Sequence, residues 1–187
     1  MDKLAKIVYE LQLPIRLKKE SLLYFKQINK IPLDSNILIY GKSGTGKTIQ
    51  AINILINHAL DNYPDNDILE YSFFSSFQYG YLNISEFLYN LRKSITSYLI
   101  DDYIQKYLNI DYIILDDIGV EKSTEWVHEI LYLIINHRYN NYKKMIITSN
   151  LPPSDLSKKI NDDRLMSRIL TDTKIINKTH NYRNNNG

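Results

Sequence analysis

Residues 41–48 limit what this chain can fold into more than any other stretch. They read Gly41-Lys42-Ser43-Gly44-Thr45-Gly46-Lys47-Thr48, a complete G-x-x-x-x-G-K-[ST] run. Before it lies a short apolar segment, 36–40, that predicts a strand. After it the apolar residues Ile49, Ile52, Leu55, Ile56 and Ala59 recur at helical spacing over 47–60. Strand, glycine turn and helix in that order bring backbone amides and the positive end of a helix to one point. The glycines matter because a side chain would block the approach of an anion to those amides. In such a loop Lys47 is placed to bridge the β- and γ-phosphates of ATP, and Thr48 to offer its hydroxyl to Mg²⁺.

The rest of the chain reads as strands alternating with helices, which argues for a parallel α/β sheet. Two short helices are expected at 3–13, ended by Pro14, and at 18–28. A loop follows the phosphate-loop helix at 62–66, and 68–83 is aromatic and β-prone, either one strand with an insertion or a hairpin. A helix from Ser85 runs with a break to about Leu108. Residues 112–115 form a solid apolar run of the kind found in buried parallel strands. Ser123 or Thr124 can cap a helix through Arg138. A strand at 145–148 is stopped by Pro152-Pro153, and a helix at 162–170 and a strand at 174–176 follow. The organisation expected is a helical N-terminal segment at 1–35, a nucleotide-binding domain at 36–183 and a disordered tail at 184–187.

Ligands in open α/β sheets sit beyond the carboxyl ends of the strands. There Asp116 is the natural partner for Mg²⁺. Asp117, one residue on, either orients the attacking water as general base or caps the turn around Gly119. Asn150 ends the following strand, where its amide would face the γ-phosphate. Arg164 and Arg168 share a helix face, so one of them is able to reach a neighbouring subunit's phosphate; the alternative is a solvated helix paired with Asp162 or Asp163. Arg183, after the last strand, returns toward the γ-phosphate or belongs to a disordered tail.

Composition removes several other classes. Lys+Arg 23 against Asp+Glu 21 gives a net charge of +2, so any nucleic-acid contact must come from a local patch. With Cys 0 there are no disulfides, thiolate zinc sites or cysteine nucleophiles. His58, His128, His137 and His180 lack ligand spacing. Tyr 16 accompanies plentiful Asn, Ile and Lys, residues that share AT-rich codons, so codon bias accounts for them before a base-stacking surface does. Apolar stretches fall far short of the roughly eighteen residues of a membrane span. Met1-Asp2 opens no signal peptide, and a cytoplasmic protein with no membrane partner is expected.

Taken in order, the series is Ile39-Tyr40 with the phosphate loop, Tyr81-Leu82-Asn83-Ile84-Ser85-Glu86-Phe87-Leu88, Leu115-Asp116-Asp117-Ile118-Gly119-Val120-Glu121, and the helix over 132–139. It continues with Ile147-Thr148-Ser149-Asn150-Leu151, Asp163-Arg164-Leu165-Met166-Ser167-Arg168 and Asn181-Tyr182-Arg183. This series resembles the bacterial helicase-loader ATPases of the DnaC type and the related IstB-type transposition helpers, both AAA+ proteins. The resemblance implies a P-loop NTPase of the AAA+ ASCE type: a three-layer sandwich on a parallel five-stranded sheet, without a C-terminal helical lid. It implies an ATPase that binds Mg-ATP between subunits of an ATP-dependent homo-oligomer, contacts single-stranded DNA and delivers a replicative helicase. A transposition helper would instead serve a transposase. On this resemblance Asn150 is a first sensor, Arg168 a finger acting on a neighbouring subunit, and Arg183 a second sensor. Many AAA+ proteins carry Glu where Asp117 stands, which implies slow, switch-like turnover. Either the helices at 3–13 and 18–28 form a minimal helicase grip, or the helicase is not the partner. The protein expected on this resemblance is a short helicase loader carried by a phage or other mobile element with an AT-rich genome. A P-loop small-molecule kinase is the rival enzyme, but no arginine-rich lid segment is visible; a nucleotide-gated binding module without hydrolysis is the other alternative.

Overall fold

A computed structural model of the chain describes residues 3–11, 13–25, 30–63, 79–94, 100–122 and 124–180. Pro14 separates two N-terminal helices, α1 (Lys3–Glu10) and α2 (Ile15–Tyr24). The second starts earlier than its apolar spacing suggests, because proline at the N-cap presets the chain for a helix directly after it. Next come β1 (Asn36–Gly41) and the phosphate-loop helix α3 (Lys47–Asp61). An edge strand β2 (Tyr79–Asn83) leads into α4 (Ile84–Ser94), and α5 (Ile100–Asn109) precedes β3 (Tyr112–Ile118). The remainder is α6 (Glu125–Asn140), β4 (Lys144–Ser149), α7 (Pro153–Ile160), α8 (Asp163–Leu170) and β5 (Thr173–Lys178).

The five strands form one sheet in the order β2-β3-β4-β1-β5, with every pairing parallel. Residues 79–83 are therefore a strand paired with β3; residues 68–78, read with them from sequence, lie outside the described residues. Alternation along the strands sorts the core into two layers. Ile37, Ile39, Ile114 and Ile146 pack with Ala51, Ile52 and Leu55 of α3, and Ile7, Val8, Leu11 and Leu17 from the N-terminal helices join the same cluster. Leu38, Ile113, Leu115, Met145 and Ile147 face the opposite layer, built from α4 to α8. Strands covered on both faces explain the unbroken apolar runs in the sequence. Among the described residues no helix is long and apolar enough to cross a membrane.

Helix α7 is absent from the sequence reading, where Pro152-Pro153 served only as a stop. Proline also suits a first helical turn, whose N–H groups lack partners anyway, and Pro153 opens α7. Of the two caps expected for α6, Ser123 or Thr124, it is Thr124 that serves, its Oγ1 accepting from Val127 N at 3.3 Å.

Arg138, at the end of α6, is fully buried. Its guanidinium donates to the carbonyls of Ile110 at 2.7 Å, Asp111 at 2.8 Å and Lys144 at 2.8 Å. One fork thus ties the last turn of α6 to the entries of β3 and β4, setting the relative heights of the strands that carry Asp116 and Asn150. Arg138→Ala strands several buried carbonyls and is expected to lower the unfolding free energy by about 3 kcal/mol in urea titration. Arg138→Lys should recover less than half of that, because a single ammonium cannot reproduce the fork.

Candidate functional site

The phosphate loop leaves β1 through Gly41, and the position tolerates nothing larger. A Cβ there would lie 2.2 Å from the carbonyl oxygen of Lys178 on β5. At the other end Gly46 takes the left-handed conformation, φ 76°, as the N-cap of α3. Between them Thr45 Oγ1 donates to Lys42 O at 2.8 Å and closes the loop on itself. Lys47 is buried, and its Nζ donates to Lys42 O at 3.1 Å and to Asn150 Oδ1 at 2.8 Å. The structure therefore joins the loop lysine directly to the end of β4.

Asp116 collects hydroxyl groups. Its Oδ1 accepts from Thr48 at 2.9 Å and from Thr148 at 2.7 Å, and its Oδ2 accepts from Tyr81 at 2.8 Å. The Thr148 hydroxyl also accepts the backbone N–H of Asp117 at 2.9 Å. Along β3 the pairing with β4 slips between Leu115 and Ile118, a bulge at the acidic pair. Asp117 sits in it with φ 62°, a left-handed conformation uncommon outside glycine. Ser149 Oγ donates to Ile118 O at 2.7 Å and holds the far side of the bulge. The turn at Gly119 is served by Glu121, whose carboxylate oxygens both lie 3.1 Å from Gly119 N. Asp117 is thus not needed there.

Burial, and secondarily the charge of Asp116, raises the pKa of Asp117, while Lys47 opposes the rise. The Tyr81 hydroxyl is likewise pushed well above its ordinary value by burial and by Asp116, so it remains a donor. The Thr48 hydroxyl and the Asp116 carboxylate are hard oxygen donors 2.9 Å apart. That pair suits Mg²⁺, which takes few protein ligands and fills its octahedron with water and phosphate oxygens.

Gly41 through Thr48, Asp116, Asp117 and Asn150 thus gather at the carboxyl ends of β1, β3 and β4. Arg168 does not join them within one chain. Its guanidinium carbon lies 4.9 Å from the ring centre of Tyr132 and 5.7 Å from that of Tyr139, both on α6, and Nη1 donates to Arg164 O at 3.0 Å. Arg164 reaches Asp162 Oδ1 at 3.8 Å and also lies over Tyr132, at 5.4 Å. Arg183 lies outside the described residues. Trp126 packs against the core with Arg92 over its ring at 4.8 Å. Among the described residues no cluster of acids and histidines suits a separate metal ion. Thr148 and Tyr81 escaped the sequence reading. Each lies on the same strand face as Asp116, a parity visible only once the register Tyr81↔Ile114 and Ile114↔Ile146 is known.

Parallel sheet, phosphate loop and facing acidic pair define an ATPase-type domain of the P-loop AAA+ class. Residues 26–175 match the family described as the bacterial DnaA ATPase domain, and the chain belongs to that family. Its fold is similar to that of a DnaC helicase loader, at 21% identity over 87% of this chain and 88% of that one, with a TM-score of 0.63. It is similar also to DnaI, at 18% identity over 87% and 83%, with a TM-score of 0.63. A replication initiator DnaA bound to AMPPCP and single-stranded DNA matches at 21% identity over 88% of this chain, with a TM-score of 0.61. The chain spans 46% of that DnaA chain's length.

A carboxyl group whose pKa is raised by folding stabilises the native state only while protonated. Its contribution is complete below the unfolded value of about 4 and is lost as pH rises through the folded value. Asp117→Asn should therefore raise the melting temperature at pH 7 by a few degrees relative to the parent. Most of that gain should vanish near pH 3.5, where the parent's carboxyl is mostly protonated in both states; melting curves at the two pH values check it.

Proposed function

We propose that this protein is an ATP-dependent DNA-replication accessory of the helicase-loader type, which binds Mg-ATP and single-stranded DNA and hands a ring helicase to its substrate. The observation that carries the reading is a pair of hydrogen-bonded sets at one sheet edge, Lys42–Lys47–Asn150 on one side and Thr48–Asp116–Thr148–Asp117 on the other. It offers a cation, a metal-holding pair, an amide and a carboxylate around one point, the groups phosphoryl transfer to water requires. Membership of the DnaA ATPase-domain family and the loader-like architecture support it.

In this reading the amides of 41–48 and the N-terminus of α3 bind the phosphates, and Lys47 neutralises charge on the transferring group. Thr48 and Asp116 would hold Mg²⁺, which would supply charge neutralisation for the phosphates. Asn150 orients the γ-phosphate. Asp117 accepts the proton of the attacking water as the new P–O bond forms and ADP leaves. Its raised pKa makes it a stronger base than an exposed aspartate. Arg168 acts on the phosphate of a neighbouring subunit, so ATP favours assembly and its hydrolysis favours release.

Light scattering after size exclusion tests this directly. ATP with single-stranded DNA should convert the protein to a larger oligomer that co-elutes with a replicative helicase. Arg168→Ala should keep ATP affinity within about twofold and lose its oligomer-dependent turnover, a group whose loss costs about a thousandfold where a finger acts in trans. Co-elution with a transposase alone would favour the transposition helper, phosphate transfer to a nucleoside would favour a kinase, and undiminished turnover in dilute Arg168→Ala would remove the finger.

A further inference from the structure

We propose that Tyr81 is a positioning residue for the metal-holding carboxylate of Asp116, so that its hydroxyl, through Asp116 alone, sets the affinity of the nucleotide site for Mg²⁺. The inference rests on the Mg-ATP reading of the site and adds a residue to it from the far edge of the sheet.

Asp116 is 3% exposed, so the orientation of its carboxylate is set by protein donors rather than by water. Thr48 and Thr148 both bind Oδ1. Neither threonine donates to Oδ2 in these bonds. Among the described residues Tyr81 is the donor at Oδ2, arriving from β2 at 2.8 Å, and it adds a restraint from the second oxygen to those at Oδ1. The strands are in register for this: Asn83 is opposite Asp116, and Tyr81 is opposite Ile114, which shares the strand face of Asp116. From there the phenol spans the gap at the length of its ring.

Tyr81 packs in part against the core on the α3 side. One side of Tyr81 borders a cleft of about 420 Å³, lined also by Pro14, Ile15, Asn83, Glu86 and Asn90. The hydroxyl bond to Asp116 adds a polar restraint to that packing. Outer partners of metal ligands commonly change metal affinity by about 10- to 100-fold when removed.

The test compares the parent, Tyr81→Phe and Tyr79→Phe by fluorescence titration with a labelled ATP, in EDTA and across a series of Mg²⁺ concentrations. Tyr79 lies on the same strand but bonds His58, with its hydroxyl 3.0 Å from Nδ1, and serves as the control. Tyr81→Phe should bind nucleotide in EDTA within about twofold of the parent and melt within a few degrees of it. It should need about tenfold more Mg²⁺ for half-maximal enhancement of binding, and Tyr79→Phe should need no more than the parent. An unchanged Mg²⁺ requirement in Tyr81→Phe would overturn the proposal, as would an equal loss of affinity with and without Mg²⁺, the mark of a merely structural tyrosine. A parent that binds no nucleotide would overturn the Mg-ATP reading itself; a parent that binds with Mg²⁺ while Tyr81→Phe matches it would overturn this inference alone.

Discussion

A carboxyl group buried as deeply as Asp116 has lost most of its hydration, and protein donors must take the place of the water. Those donors come from three elements: Thr48 on the first turn of α3, Thr148 on β4 and Tyr81 on β2. The charge therefore clamps the phosphate-loop helix, the central strand and the sheet edge to one another. The three bonds together offset the cost of burying it, which links the acid site to the packing of the α3 layer. Thr148 extends the clamp by also taking the Asp117 amide. A backbone that would otherwise resist a left-handed aspartate is thereby held in the bulge.

The loop on the other side is fixed by shape rather than charge. Gly41 is required by the carbonyl of Lys178, a contact with β5 that has nothing to do with phosphate. The same glycine thus serves sheet closure and loop geometry. Lys47 and Asn150 complete the link, tying the loop to β4 at 2.8 Å. Below, the Arg138 fork fixes how far β3 and β4 rise, and above them the polar ends meet. Tyr79, Tyr112 and His58 form a stacked group at the start of β2 and β3, with 5.2 Å between the tyrosine rings and 4.3 Å from His58 to Tyr112. These rings account for part of the tyrosine excess by packing.

The phosphate loop, α3, the acidic pair and Asn150 were legible in the sequence because each is a local pattern whose meaning does not depend on pairing. Strand order and Tyr81 were not, since parallel neighbours are far apart in the chain and a single residue of register moves a side chain to the other face. Pro152-Pro153 was ambiguous for a different reason: proline both ends a strand and begins a helix. Arg138 reads as an ordinary cation in a last helical turn, and nothing in its neighbours announces the carbonyls gathered around it. Arg164 and Arg168 were correctly placed on one helix face, yet sequence spacing carries no information about Tyr132 and Tyr139, on which Arg168 rests.

The central claim is that the loop and the acid pair together bind a magnesium nucleotide, and calorimetric titration of ATP into the parent and into Lys47→Ala, each with and without Mg²⁺, tests it most directly. The account predicts saturable binding by the parent that strengthens with Mg²⁺ and no measurable binding by a folded Lys47→Ala protein. Equal binding by the two proteins, or binding by the parent that is indifferent to Mg²⁺, would contradict it.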